Sequence, residues 1–199
     1  MTNQQFDTYS DQIKGVQSPI WAGPQVPRTS VTWQQALDYC NLRYPNGGTL
    51  TSEAQWEYAA RGWNSLLYPW GNVFAGNLDQ VIYAGNSKEP QAVMDPDSGS
   101  DDTRTAGVSW VGAHDMAGNV REWTTTIYDQ TQYAYPNVNT DAANSLTNVT
   151  NDRVVRGGSY FSADVTFVTT TTRESLKPKF KYDDVGFRCT IPFGIATYN

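Results

Sequence analysis

Apolar residues recur at three- and four-residue steps in two stretches of the chain. In Ser30–Arg43, Trp33, Leu37 and Cys40 fall on one face, and Thr32 with Gln35 three positions later forms a capping box. That combination predicts a helix. Thr51–Arg61 repeats it, with Trp56, Ala59 and Ala60 inward, hydroxyl caps at Thr51 and Ser52, Glu53 at the positive helix end and Gly62 as the stop.

Beyond Gly62 no helical period persists, and Gly, Pro, Asn, Asp and Ser punctuate the chain every few residues. Four short β-branched or aromatic runs read as strands: Glu122–Tyr128, Arg153–Gly157, Thr166–Arg173 and Gly186–Ile191. Two helices with small, mainly antiparallel sheets and much irregular loop make an α+β domain. Residues 1–28, broken by Pro19, Pro24 and Pro27, read as an irregular N-terminal arm that packs through Ile20 and Trp21. Residues 29–199 then form a single domain.

Composition narrows the function classes. Charged residues are 17% and the net charge is −6, so no basic stripe exists for a phosphate backbone and nucleic acid is not an expected partner. No apolar run approaches the roughly 20 residues that cross a bilayer, so a soluble protein without membrane insertion is expected. Met1–Lys14 is polar and shows no secretory signal, which leaves the compartment open. Aromatics at 13% mark a chain that folds and presents some of its rings. The two cysteines, Cys40 and Cys189, are either one bridge or two buried thiols, and with one histidine, His114, they cannot build a zinc site. No nucleophile elbow or phosphate-binding glycine loop occurs, and a Ser–His–acid triad would depend on His114 alone.

Six motifs stand in a telling order: VTWQQALDYC (31–40), LTSEAQWEYAARG (50–62), YPWGN (68–72), HDMAGNVREWT (114–124), RVVRGGSY (153–160) and GFRC (186–189). Together they resemble the formylglycine-generating enzyme (sulfatase-modifying factor) family, over roughly Arg28–Thr190. The resemblance implies that family's variant of the C-type lectin fold, with Trp56, Trp70 and Trp123 as packing residues. It also implies that Cys40 and Cys189 are neighbours in space, since their counterparts are bridged in some secreted members.

Catalytic members carry two cysteines shortly after GGSY, which bind copper(I). Gly157–Phe167 here contains none, and hydroxyls or rings cannot replace thiolates for a soft ion. Another branch holds iron through several histidines, which a chain with one cannot do. His114 therefore reads as a packing or hydrogen-bonding residue, and the chain as a non-enzyme without a redox cofactor. The alternatives are an oxidoreductase of this family with an altered active site, or a regulatory or structural subunit. GNVREW resembles the segment where relatives hold structural calcium, which implies Asn119, Val120 and Glu122 as ligands, although these alone fall short of the about six to eight oxygens calcium takes. Asp95, Asp97, Gly99 and Asp101 have calcium-like spacing but read as a solvated acidic loop.

The segment without cysteines carries the functional expectation. A second use of this fold is the variable protein of a diversity-generating retroelement, in which adenine-directed mutagenesis rewrites codons ending in a pyrimidine. Such codons cannot encode Met, Trp, Gln, Lys or Glu, and none of these occurs from Gly157 to Thr172. The resemblance thus implies a variable region within 157–188 that binds a protein or other surface ligand. Tyr160, Phe161 and Phe167 would supply contact area, and Ser162, Asp164, Thr169 and Thr171 adaptable hydrogen bonds, with Tyr182 and Asp183 in the following turn. Val165, Phe167 and Val168 are the residues of this stretch most suited to the core.

Overall fold

The computed structural model describes residues 1–74, 81–93, 107–130 and 144–192. Three α-helices stand among them, each opened by the same device. Helices α1 (Asn3–Asp7), α2 (Trp33–Arg43) and α3 (Glu53–Arg61) are preceded by Thr2, Thr32 and Ser52. Each hydroxyl accepts from the backbone N–H of a glutamine three residues on, and each glutamine side chain accepts from the cap's own N–H. Two orphan donors are satisfied at each helix start. Gly62 ends α3 at φ 63°, in the left-handed region that favours glycine.

The N-terminal arm is therefore not irregular as predicted. It carries α1 and a 3₁₀ turn at Ser10–Gln12, and it docks through the buried Phe6 and Ile13 while Ile20 is 60% exposed. A five-residue helix is too short to show a period; its Thr2–Gln5 box is its whole signal. Trp21 does contribute, donating its indole N–H to the Asp183 carbonyl (2.9 Å) and meeting the Tyr160 ring edge-on.

Strands β1 (Thr49–Leu50), β2 (Arg121–Ile127), β3 (Arg153–Arg156), β4 (Arg173–Leu176), β5 (Val185–Phe187) and β6 (Cys189–Thr190) make two sheets. One has the order β4-β3-β2-β5, antiparallel except for the parallel pair β2–β5. The other pairs β1 with β6, Leu50 opposite Cys189. The predicted strand Thr166–Arg173 is not formed as such: Val165–Val168 is a 3₁₀ turn and pairing begins only at Arg173. Asp164 caps that turn by accepting from the Thr166 N–H (2.9 Å), and the carbonyls of Thr170, Thr171 and Thr172 accept from the Arg156 guanidinium instead of a neighbouring strand.

The main core lies between α2 and the four-stranded sheet, where Trp33, Ala36, Leu37 and Cys40 meet Phe6, Trp123, Val155, Val185 and Phe187. Cys40 and Cys189 are disulfide-bonded, tying α2 to β6 across a sequence separation of 149. No helix among the described residues is long and apolar enough to cross a membrane.

Candidate functional site

The segment after β3 is held from beneath. Arg156, buried at the end of β3, donates to the carbonyls of Thr170, Thr171 and Thr172 (2.9 Å each) and to Glu57 (2.5 Å). Glu53, itself buried, lies 3.6 Å from Arg156 and takes two hydrogen bonds from Arg173 (2.8 Å each). Gly157 and Gly158 follow at φ 96° and 70°. A Cβ on Gly158 would sit 2.3 Å from the Phe167 carbonyl oxygen, so only glycine lets the two backbones approach this closely. Thr170 adds a bond from its N–H to the Leu67 carbonyl (2.9 Å) and one from its hydroxyl to the Leu66 carbonyl (2.6 Å).

With the backbone fixed, the side chains divide. Phe161 is 76% exposed and Phe167 51%, and Ala163, Asp164, Thr166 and Thr171 are also exposed, with Ser162 half-buried. Phe167 is thus not core: the 3₁₀ turn sends Val168 inward instead, against Tyr68, Val81 and Ala117. Tyr160 and Thr169, expected among the displayed groups, are buried. The Tyr160 ring packs between Trp21 and Phe161, and burial beside Asp183 and Asp184 pushes its hydroxyl up to about 12. The Thr169 hydroxyl is spent on those of Thr171 (3.2 Å) and Thr172 (2.8 Å). Tyr182 is half-buried with its ring on Trp123, while Asp183 is exposed.

Phe161, Ser162, Ala163 and Phe167 rim a cleft of about 220 Å³ whose floor is Arg121, Ser159, Glu174 and Asp184. Of these four, Arg121, Ser159 and Glu174 carry no binding role in the sequence reading: Arg121 and Glu174 lie just outside the predicted strands, and Asp184 ends the turn that holds Tyr182 and Asp183. The floor is tightly bonded: Arg121 donates two bonds to Asp184 (2.9 and 2.7 Å) and one to Glu174 (2.9 Å), and Ser159 donates to Asp184 (2.8 Å). Burial disfavours the Arg121 charge, but the two carboxylates outweigh it and raise its pKa. Asp164, next to Ala163 in the chain, is kept below the usual carboxyl range by the Thr166 N–H.

The residues implied for calcium border a second cavity, of about 370 Å³, with His114 and Arg188. They do not fit as a cation shell. Both Glu122 oxygens accept from Arg188 (2.6 Å each), one also from the Trp56 indole N–H (2.6 Å), and Asn119 is locked to the Gln91 backbone in both directions. Among the described residues no group of three or more His, Cys, Asp or Glu could hold a metal ion. His114 meets Arg188 through its backbone carbonyl (3.0 Å). The Asp95–Asp101 run lies outside the described residues. Both cysteines being bridged, the chain offers no free thiol to copper.

Comparison with known proteins places this geometry. The sulfatase-modifying factor enzyme 1-like domain matches residues 3–192. An inactive C-alpha-formylglycine-generating enzyme 2 from Bos taurus is 31% identical over 183 residues, covering 89% of this chain and 54% of the relative. A formylglycine-generating enzyme from Streptomyces coelicolor is 30% identical, covering 88% and 56%. The chain thus spans about half the length of the curated relatives it matches. Among solved structures, Treponema denticola variable protein 1 superposes with a TM-score of 0.72 at 20% identity, covering 95% of this chain and 81% of that one. PvdO from Pseudomonas aeruginosa does so at 0.70 and 19%, covering 94% and 76%.

Proposed function

The chain belongs to the sulfatase-modifying factor enzyme 1-like domain family, and from that premise we propose that it is a non-catalytic ligand-binding protein displaying a variable surface, the variable protein of a diversity-generating retroelement. The observation that carries this reading is the division of labour around Gly157–Thr172. Backbone groups there are gripped by Arg156, Thr170, the Gly158 contact and the Asp164 cap, whereas Phe161, Ala163, Thr166 and Phe167 project into solvent. A side chain that holds nothing in place can be exchanged without loss of the fold. Exposed aromatics among small polar residues are the composition of a binding surface. The absence of a free thiol adds support, as do the inactive relative and the shared fold of the Treponema protein.

The competing reading, an oxidoreductase with altered chemistry, draws on the relatives of this family that are formylglycine-generating enzymes. Two measurements separate them. Beside the gene, the proposal expects a reverse transcriptase and a near-copy of the codons for Gly157–Arg188 that differs only at adenines. In the purified protein it expects no oxidation of a cysteine-containing peptide with copper or iron supplied. Metal-dependent turnover of that peptide, or surrounding DNA without such a copy, would overturn it.

A further inference from the structure

We propose that the cleft between Phe161 and Phe167 receives a cationic side chain, an arginine or lysine of a partner protein, with Glu174 as its counter-ion. This deepens the binding reading above and rests on it. The two rings stand on the rim of one cleft, and among the described residues no ring contact joins them. A planar guanidinium or an alkyl ammonium entering this cleft meets both aromatic side chains, whose rings attract cations through their quadrupole.

The floor sets the sign of the guest. Arg121 commits three N–H groups to Asp184 and Glu174, so one positive charge faces two negative ones. Asp184 is nearly saturated, taking Arg121 twice and the Ser159 hydroxyl as well. Glu174 is different: it lines the cleft, its side chain is 41% exposed and its bond to Arg121 uses Oε2 alone, so the carboxylate keeps capacity for a further donor. Asp164 and Asp183, adjacent in the chain to the lining residues Ala163 and Asp184, are exposed as well. A chain of net charge −6 also draws basic partners from a distance. An anionic guest would have to displace Glu174 from Arg121 and then face the remaining acids.

The arrangement separates two duties. Glu174 cannot be encoded by an adenine-mutated codon, so the counter-ion proposed for the guest is constant. Phe161, Ser162 and Phe167 lie in the exchangeable stretch, so the shape around the guest is what varies.

The test is an amide-resonance titration of the intact protein with blocked arginine amide, its neutral isostere citrulline amide, blocked aspartate, agmatine and a blocked Gly-Arg-Gly tripeptide. The proposal expects saturable shifts centred on residues 159–167 and 174 with arginine amide, weaker by about fivefold with citrulline amide. Glu174→Gln and Phe161→Ala should each weaken arginine binding by about threefold to tenfold. The tripeptide should bind more tightly than agmatine, because a protein guest brings its main chain. Absence of saturable shifts with arginine amide, shifts with aspartate instead, or equal affinity of Glu174→Gln would overturn the proposal, and agmatine binding as tightly as the tripeptide would overturn its assignment to a protein. A codon near-copy beside the gene together with a silent cleft would sink this inference alone; a cleft that binds arginine in a protein with no such copy would sink the retroelement reading alone.

Discussion

Arg156 is 1% exposed and Phe161 is 76% exposed, although only four residues separate them. The inner residue belongs to a network in which Arg156, Arg173, Glu53 and Glu57 neutralise one another beneath the sheet. Phe161 makes one edge contact, with Tyr160, and otherwise faces solvent. The contrast teaches where this fold spends its cohesion. Its buried guanidinium grips main-chain carbonyls of the outer segment, not side chains, so conformation and chemistry are uncoupled at the exposed positions Phe161, Ala163, Thr166 and Phe167.

The sharpest way to break the contrast is to remove the grip. Arg156→Ala takes their shared donor from three carbonyls and one of two arginine partners from Glu57, which keeps Arg61 (2.8 Å), and it should cost about 3–5 kcal/mol, since truncating one member of a buried ion-pair network is strongly destabilising. A denaturant midpoint measured beside the parent protein checks this, and a loss under 1 kcal/mol would mean that water readily replaces the guanidinium. Next in size is the bridge between α2 and β6. The pair Cys40→Ala with Cys189→Ala releases a closed loop with a separation of 149 residues, and it should lower stability by about 2–4 kcal/mol. Addition of a reductant to the parent should move its midpoint toward that of the double variant.

A smaller effect is expected at the helix starts. Ser52→Ala removes the acceptor for the Gln55 N–H and half of a capping box, a loss of about 1 kcal/mol. These caps also explain how much of the molecule could be read in advance. Helices α2 and α3 were legible because a hydroxyl cap and an apolar period agreed in each. Helix α1 has the box but no room for a period, so Thr2–Asp7 passed for coil. The nearness of Cys40 and Cys189 followed from family resemblance, not from spacing, and the choice between bridge and thiols was open until the structure joined them. Of the site, the segment was legible but its facing was not. Alternation along an assumed strand gave Phe167 to the core, and nothing local in the sequence shows that Arg156 would capture the carbonyls of Thr170–Thr172 and prevent that strand. The floor of the cleft was invisible for a similar reason: Arg121, Ser159, Glu174 and Asp184 come from separate stretches and meet only through the β4-β3-β2-β5 order.

The smallest expected effect concerns the outer segment itself. Phe161→Ala, Ala163→Ser, Thr166→Asn, Phe167→Ser and Thr171→Ala alter groups that are exposed, and each should change stability by no more than about 0.5 kcal/mol. Because the carbonyls that Arg156 grips are unaltered, the five together should leave the cooperative transition intact and shift it by little more than their sum. Tyr160→Ala and Thr170→Ala, in the same stretch but buried, serve as the internal contrast. Loss of the Tyr160 ring removes its packing against Trp21, at about 2–4 kcal/mol, and loss of the Thr170 hydroxyl leaves the Leu66 carbonyl without that donor, at about 1–2 kcal/mol. A thermal midpoint for the fivefold variant lying below that of Tyr160→Ala alone would show that the displayed side chains also hold the fold, and the uncoupling of chemistry from conformation would be lost with it.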